Sequence, residues 1–447
     1  MHAQKTPSQG PADALVHHLP MTAPDPLSPP PPDKPAAPES GSQAARHVAD
    51  LRGAAQLATD ATAGLTDLVE AMHEGIARVP GFGADALDGR TRGITGLVYR
   101  SIRGVTRVVG GSVDALLGLL APALAGNAPL PAPRPEREAV IAALNGVLGD
   151  YLAATGNPLA TRMSLRRNGR ALVLEPDVLK AELHDAHGAL IVMVHGLCMN
   201  DLQWSRDGHD HGQALAAELG FTPLYLHYNS GQPVSVSGKD FADLLDQLVA
   251  AWPRPVQRLV LLCHSMGGLV ARSALLHAQA TQQGWPARLT DLVFLGTPHQ
   301  GAPIERAGHG LEMLLSATPY ASPMAQLARV RSAGITDLRH GHLREHASQD
   351  EDDHGSAGKR LPAPLPDQVR CFAVAGSLGE SDADLKQRLL GDGLVPLDSA
   401  LGRHADPELA LNFPSERQWV GQGINHMELL SRPEVMAQLR LWLGAPG

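Results

Sequence analysis

The chain has 447 residues, 43% of them hydrophobic and 19% charged, so it can bury a large core and does not have the composition of a disordered protein. A formal net charge of -9 at pH 7 argues against nucleic acid as the main partner. Its cysteines, Cys198, Cys263 and Cys371, favour neither a disulfide framework nor a metal site. Because the residues after Met1 lack the apolar stretch of a secretory signal, we expect a cytoplasmic protein.

The first part of the chain divides by composition into three segments. Residues 1–43 are rich in proline, alanine and serine and are predicted to form a disordered tail. Residues 44–126 carry apolar side chains three or four positions apart, from Leu51 onward, and are predicted to form amphipathic helices. Residues 127–135 are proline-rich and are predicted to be a linker.

The helix predicted over 92–124 has a basic side, formed by Arg100, Arg103 and Arg107, and an aliphatic stripe opposite. Charged residues interrupt it too often for a transmembrane span. Such a helix can lie on a lipid surface. Packing against another helix or against the following domain is the commoner arrangement and is favoured here. A peripheral membrane contact through 92–124 is the alternative.

From residue 136 onward, strand and helix patterns alternate. A helix over 136–154 comes first, and Asn168-Gly169 then marks a hairpin turn. Later strands are predicted over 189–194, 222–227, 259–263, 289–295, 369–375 and 417–420, and helices over 209–219, 239–252, 266–283 and 433–443. This alternation predicts an α/β fold with a mostly parallel sheet covered by helices on both faces. Functional residues of such sheets lie at the carboxyl ends of the strands.

The most informative stretch is Leu259 to Ala271, an apolar strand followed by Ser265, two glycines and a helix. A serine at so sharp a strand-to-helix turn is strained and its hydroxyl is lifted from the sheet, provided that its neighbours two positions away are small. Gly267 meets that condition, whereas Cys263 stands where glycine is usual. Ser265 is therefore the candidate nucleophile. The alternative is an ordinary turn with a serine N-cap.

A glycine loop follows the strand over 189–194. Attack on an ester carbonyl creates an oxyanion, which needs two backbone N–H donors. Gly196 permits close approach, so the N–H groups of Leu197 and Met266 are the predicted pair. His195 is expected to fix this loop. An ordinary glycine turn is the alternative.

A serine nucleophile needs a histidine base and a carboxylate that fixes the histidine tautomer. Asp392 lies between two glycines and His426 lies just before the last helix, in the order Ser, Asp, His that this architecture uses. Asp384 and Asp398 are the alternative carboxylates.

Other histidines are interpreted differently. His264 is expected to have a local structural role beside Ser265, and His299 could line the pocket. A further group, in a stretch without metal-ligand spacing, is not predicted to bind a metal: His340, His342, His346 and His354.

Residues 303–366 are too long for a simple crossover between two strands and carry many leucines and methionines. We expect a cap over the active site. Surface helices with a solvated acidic run are the alternative.

Taken together, the serine turn, the His-Gly loop, the stretch 296–303, the Gly-Asp-Gly-Leu-Val-Pro stretch and the Asn-His-Met-Glu stretch resemble the α/β-hydrolase superfamily. The likeness is to its lipase and esterase branch, including relatives of the inositol-glycan deacylases, and it covers about residues 136–447. It implies a triad and an oxyanion hole made by Ser265, Asp392, His426, Leu197 and Met266.

The expected reaction is hydrolysis of a small-molecule or lipid ester through an acyl-enzyme, with no cofactor or metal. A thioesterase or acyltransferase on the same triad is one alternative. A hydrolase domain that has lost activity and only binds is another. A third is a lipid-surface protein that depends on the helices of 44–126.

Overall fold

The strands of the fold form one sheet, whose central members are short apolar runs. The computed structural model describes residues 48–57, 59, 135–302, 332–344, 361–379 and 391–445. Within them the strands are β1 (Ser164–Arg167), β2 (Arg170–Ala171), β3 (Ala189–Val194), β4 (Thr222–His227), β5 (Arg258–His264), β6 (Leu289–Leu295), β7 (Arg370–Ser377) and β8 (Gln418–Gln422). They join in the order β2-β1-β4-β3-β5-β6-β7-β8.

Strands β3 to β8 are all parallel, and β1 pairs antiparallel with both β2 and β4. Side chains of β3, β5 and β6 are almost all buried, as expected for strands covered on both faces. The predicted mostly parallel sheet is confirmed, and the hairpin predicted around Asn168-Gly169 is present as β1 and β2.

Helices connect the strands. In the described residues they are α1 (48–57), α2 (Pro135–Ala154), α3 (Pro176–Glu182), α4 (His211–Leu219), α5 (Val234–Ala251), α6 (Met266–Thr281), α7 (Ala333–His340), α8 (Leu397–Ala400) and α9 (Pro433–Gly444). None of the helices in these ranges is long and apolar enough to cross a lipid bilayer.

The order of the strands explains how the helices form two layers. The crossover from β3 to β4 runs toward one edge of the sheet, and the crossovers to β5 and β6 run toward the other edge. Since crossovers are right-handed, α4 lies on one face, and α5 and α6 lie on the opposite face. The contacts agree, because α5 packs against α6 while α4 packs against α9. The strand order therefore reverses at β3 and β5, where ligand sites of such sheets form.

Two of the helix boundaries that differ from the sequence prediction have a clear physical reason. Helix α5 begins at Val234 and not near Lys239. Its first turn carries valines, serines and a glycine, which are weak helix formers, but tertiary packing favours the helix because Gly238 lies tightly against Ser273. Helix α2 begins at Pro135, the last residue of the predicted linker, since proline suits the first turn of a helix.

The described part of the predicted N-terminal helices is α1, which packs on α2 and on the loop that follows it. The Asn157 side chain donates to the Gly53 carbonyl at 3.0 Å, and Arg137 pairs with Asp50 at 2.6 Å. Gly53 is buried in this contact, whereas Leu51, part of the predicted apolar stripe, is 53% exposed. Helix α1 thus contacts α2 and the following loop through the side that carries Gly53, and not through Leu51. The missing side chain of Gly53 lets the helix backbone come close to Asn157 and Leu159.

Several sequence predictions fall on other residues. The tail over 1–43, the basic helix over 92–124 and residues 127–134 of the linker lie outside the described residues, as does most of the cap predicted over 303–366. Helix α7, inside that cap segment, is described and packs against α2 and α5. The Ser332 hydroxyl before it donates to the Gly146 carbonyl at 2.7 Å.

Candidate active site

Ser265 is the single residue between β5 and α6, and its backbone is strained. Its φ is 54° and its ψ is -126°, a conformation that non-glycine residues rarely adopt. The Ser265 N–H donates to the Leu295 carbonyl at 2.8 Å, and the Ser265 carbonyl accepts from Gly268 N–H at 3.1 Å. These two bonds hold the turn in its strained form at the carboxyl end of the sheet.

The neighbours of Ser265 two positions away differ in how much space they have. A Cβ at Gly267 would lie 2.4 Å from the Val194 carbonyl oxygen, so no larger residue fits without movement. Cys263 lies inside β5, opposite Val194 of β3 and Phe294 of β6, and is fully buried. Burial raises the pKa of the Cys263 thiol well above its ordinary value, so the sulfur stays protonated. The structure thus accommodates the cysteine as a packed core residue.

The loop after β3 approaches Ser265 directly. A Cβ at Gly196 would lie 2.9 Å from Ser265 Cβ. The Tyr228 hydroxyl donates to the His195 carbonyl at 2.9 Å, and the two rings stack with centroids 4.4 Å apart. His195 Nδ1 is 2.9 Å from the Gly196 carbonyl oxygen, and burial lowers the pKa of His195 to about 3, so this ring is neutral. His195 therefore fixes the loop.

Leu197 and Met266, the predicted oxyanion donors, are both buried on this side of the sheet. Leu197 follows Gly196 in the loop after β3, and Met266 is the first residue of α6. An N–H in the first turn of a helix has no carbonyl partner within that helix. The role of these two N–H groups as oxyanion donors stays a prediction.

Asp392 and His426 form a buried pair. His426 Nδ1 lies 2.7 Å from Asp392 Oδ2, and the two residues are 0% exposed. The other carboxylate oxygen, Oδ1, accepts from the N–H groups of Leu394 at 3.0 Å and Val395 at 2.8 Å. The main chains are joined too, since His426 N–H donates to the Asp392 carbonyl at 3.0 Å. The turn Gly-Asp-Gly-Leu-Val thus binds its own aspartate and presents it to the histidine.

The fold brings this pair next to Ser265. A Cβ at Gly296, which follows Leu295 at the end of β6, would lie 3.0 Å from both Asp392 Oδ2 and His426 Nδ1. The ring of His264, the residue before Ser265, lies 4.6 Å from the ring of His426. His426 Nε2 is buried and has no hydrogen-bond partner among the described residues. The three predicted triad residues therefore gather beyond the carboxyl ends of β5, β7 and β8, beside the end of β6.

The other candidates lie differently. Asp398 has a side chain that is 42% exposed and pairs with Arg403 at 3.2 Å, whereas Asp384 lies outside the described residues. His299 packs edge-on against Phe294, with centroids 4.6 Å apart. No group of side chains that could hold a metal ion occurs in the ranges that the structure covers.

Two features of the site were not predicted from the sequence. One is the contact of His264 with His426, which are separated by 162 residues. The other is Gly296, whose φ of 57° and missing side chain make room for the Asp392–His426 pair. The Gly-Thr-Pro stretch after a strand was a signal for the second, but nothing in the sequence points to the first.

Comparison with known proteins finds a family model that matches part of this chain. Residues 185–354 match the model of the PGAP1-like alpha/beta domain. The predicted resemblance to α/β-hydrolases, with relatives among the inositol-glycan deacylases, is thereby confirmed for this part of the chain. The matched region contains Ser265 and ends before Asp392 and His426.

Solved structures that match the chain come from several organisms. A lipase of Bacillus licheniformis is 18% identical, with 57% of this chain and 91% of the lipase covered and a TM-score of 0.37. An esterase of Pyrococcus furiosus is 13% identical, with 58% and 80% covered and a TM-score of 0.33. A thioesterase of the prodiginine pathway in Streptomyces coelicolor is 15% identical, with 57% and 90% covered and a TM-score of 0.33. No protein with curated annotation matches the chain in sequence.

Proposed function

We propose that the chain is a serine hydrolase that cleaves carboxylic esters through Ser265, His426 and Asp392. The observation that carries the proposal is the buried pair of His426 and Asp392, joined at 2.7 Å, beside a serine held at a φ of 54°. A strained serine and a fully buried histidine–carboxylate pair are each unfavourable for folding alone. Their occurrence together at one end of the sheet supports a catalytic role.

The proposed mechanism begins with proton transfer. His426 Nε2 removes the Ser265 proton, and the serine oxygen attacks the ester carbonyl. The N–H groups of Leu197 and Met266 stabilise the oxyanion. Collapse of this intermediate expels the alcohol, which takes its proton from His426 and leaves an acyl group on Ser265. A water molecule, deprotonated by the same histidine, then attacks the acyl-enzyme and releases the acid.

Asp392 has a defined part in this sequence of steps. Its Oδ2 accepts from His426 Nδ1, so the histidine proton is on Nδ1 and Nε2 is free to act as the base. The two backbone donors at Oδ1 fix the orientation of the carboxyl group. The negative charge then stabilises the imidazolium that forms during attack.

The acceptor and the leaving group are less constrained by these residues. A thioester carbonyl fits the same nucleophile and base, and an alcohol acceptor in place of water gives acyl transfer. We favour an ester of a small molecule or a lipid. A peripheral membrane contact through 92–124 and a cap over 303–366 remain part of the proposal.

The test is hydrolysis of p-nitrophenyl esters of increasing acyl length by wild type, Ser265→Ala and Ser415→Ala. Ser415 is exposed and is not among the predicted site residues, so its variant controls for handling and for serine-to-alanine substitution as such. We expect wild type and Ser415→Ala to turn over alike and Ser265→Ala to lose activity by at least about 10³-fold. The preferred acyl length would separate esterase from lipase, and an acyl thioester assayed in parallel would identify a thioesterase. Equal activity of all three proteins would exclude Ser265 as the nucleophile.

A further inference from the structure

His264 precedes the candidate nucleophile and contacts the candidate base. Its ring lies 4.6 Å from the ring of His426 at an angle of 46°, and its Nε2 is 3.1 Å from the His426 carbonyl oxygen. A carbonyl oxygen only accepts hydrogen bonds, so Nε2 of His264 carries the proton and donates it. This bond joins the Ser265 turn to the loop that holds His426.

The His264 ring is enclosed on its other sides as well. A Cβ at Gly196 would lie 3.2 Å from His264 Nδ1, and the Trp204 ring lies edge-on with its centroid 6.4 Å away. The ring is wholly buried, and burial lowers the pKa of His264 well below its ordinary value. The charged or titratable groups around it, His426, Arg206 and His195, lower its pKa further. His264 is therefore neutral at neutral pH.

The main chain of His426 is thus held at both of its polar groups. Its N–H donates to the Asp392 carbonyl at 3.0 Å, and its carbonyl accepts from His264. Among the described residues, the His426 side chain has a hydrogen-bond partner at Nδ1, which is Asp392, and none at Nε2. Because the backbone of a residue sets where its ring begins, loss of the His264 bond would leave the position of Nε2 less defined.

We propose that His264 is a positioning residue for the base. Its Nε2–H fixes the main chain of His426, and its ring packs against the His426 imidazole. The inference rests on the proposed function, in which His426 takes the Ser265 proton. A charged ring in this place would oppose formation of the imidazolium, whereas a neutral one does not. Because His264 is adjacent to Ser265 in the chain, its bond to His426 links the Ser265 turn to the loop that carries the base.

The test compares two amides of different reach. In His264→Gln the amide nitrogen extends about as far as Nε2 of histidine and can donate to the His426 carbonyl. In His264→Asn the same group stops about where Nδ1 lies and cannot reach. We expect His264→Gln to keep kcat within about threefold of wild type and His264→Asn to lose about tenfold or more, with KM changed less than about twofold in both. If thermal unfolding shows that the His264→Asn protein does not fold, His264→Leu replaces it as the variant without a donor.

A second readout does not depend on turnover. The Nδ1 proton of His426, bound to Asp392, gives a separate downfield proton NMR signal whose exchange with water reports how firmly the ring is held. We expect His264→Gln to retain the signal and His264→Asn to broaden or lose it. Equal behaviour of the Gln and Asn variants in both measurements, whether both intact or both impaired, would overturn the inference. Failure of the wild type to hydrolyse any ester would count against the proposed function alone, and the NMR comparison would still decide the role of His264.

Discussion

His426 Nδ1 lies 2.7 Å from Asp392 Oδ2, across 34 residues of sequence, and both side chains are buried. The two residues lie on different loops at the carboxyl end of the sheet, one after β7 and the other after β8. Two N–H groups of the Asp392 turn bind its second oxygen. A buried carboxylate is stable only when hydrogen-bond donors surround it, and here the Asp392 turn and His426 together supply those donors.

The first prediction concerns the identity of the acid. Asp392→Asn keeps the shape of the side chain but removes its charge, and its amide can favour the wrong tautomer of His426. We expect kcat to fall by about 10³-fold to 10⁴-fold with a small change in KM. Asp398→Asn, at the exposed alternative aspartate, is the control and should retain wild-type kinetics. A large loss in Asp398→Asn and a small one in Asp392→Asn would reverse the assignment.

The second prediction concerns the Ser265 turn. In Gly267→Ala the new methyl group would meet the Val194 carbonyl oxygen at 2.4 Å and the His195 carbonyl oxygen at 2.7 Å. Neither oxygen can move without displacing the loop after β3, so we expect the free energy of unfolding to fall by about 1–3 kcal/mol and activity to be lost. Gly284→Ala is the matched control, since its nearest heavy atom is Asp246 Oδ1 at 3.8 Å. Thermal unfolding of the two variants would contradict this account if both melted like wild type.

The third prediction concerns stability in acid. Burial lowers the pKa of His211 to about 4, partly offset by its bond to the Leu429 carbonyl at 3.0 Å. The unfolded chain, with a histidine pKa of about 6.5, therefore binds more protons than the folded chain between these values. The stabilisation is present above about pH 6.5 and is lost as the pH falls toward 4, by up to ~1.4 kcal/mol per pH unit for this group.

The variant His211→Gln isolates that contribution. Glutamine can donate to the Leu429 carbonyl but does not titrate. Between pH 6.5 and 4, the slope of unfolding free energy against pH should therefore decrease by the amount that corresponds to the uptake of about one proton on unfolding. Denaturant unfolding at several pH values measures the slope. An unchanged slope in His211→Gln would mean that His211 is protonated in the folded protein. His195, with a pKa lowered to about 3, is expected to keep part of the acid sensitivity in this variant.

The fourth prediction concerns the contact of α1 with α2. A Cβ at Gly53 would lie 2.5 Å from Leu159 Cγ and 2.7 Å from Asn157 Oδ1, so Gly53→Leu should push the helix away. We expect faster tryptic cleavage at Arg52 in this variant. Leu51→Ala changes an exposed residue on the same helix and should leave the cleavage rate as in wild type. Equal cleavage of Gly53→Leu and wild type would show that α1 does not dock through this face.

The sequence predicted the central strands well, because the cue there is local. The ranges 189–194, 222–227 and 289–295 match β3, β4 and β6, since short apolar runs bounded by turn residues are typical of strands in a covered sheet. The start of α5 was wrong because Val234, Ser237 and Gly238 are helical only through burial against α6. The helix propensities of these residues alone therefore could not predict where α5 begins.

The site was predictable to the extent that its parts are local motifs. The turn at Ser265 and the glycine-flanked Asp392 each follow from a few neighbouring residues, and their chain order suggested the partner His426. The contact between His264 and His426 could not be predicted, since it depends on how the last loop of the chain returns over the end of β5. Gly296 likewise needed the structure, because its role is to leave space for two residues far along the chain.

The measurement that tests the central claim most directly is labelling with a fluorophosphonate, which reacts with serines that a neighbouring base activates. The account predicts one adduct on the wild type, mapped by peptide mass spectrometry to Ser265, no adduct on Ser265→Ala, and much slower labelling of His426→Gln. This result would not require the natural substrate. Absence of labelling in a folded wild-type protein, or an adduct on a serine other than Ser265, would contradict the account.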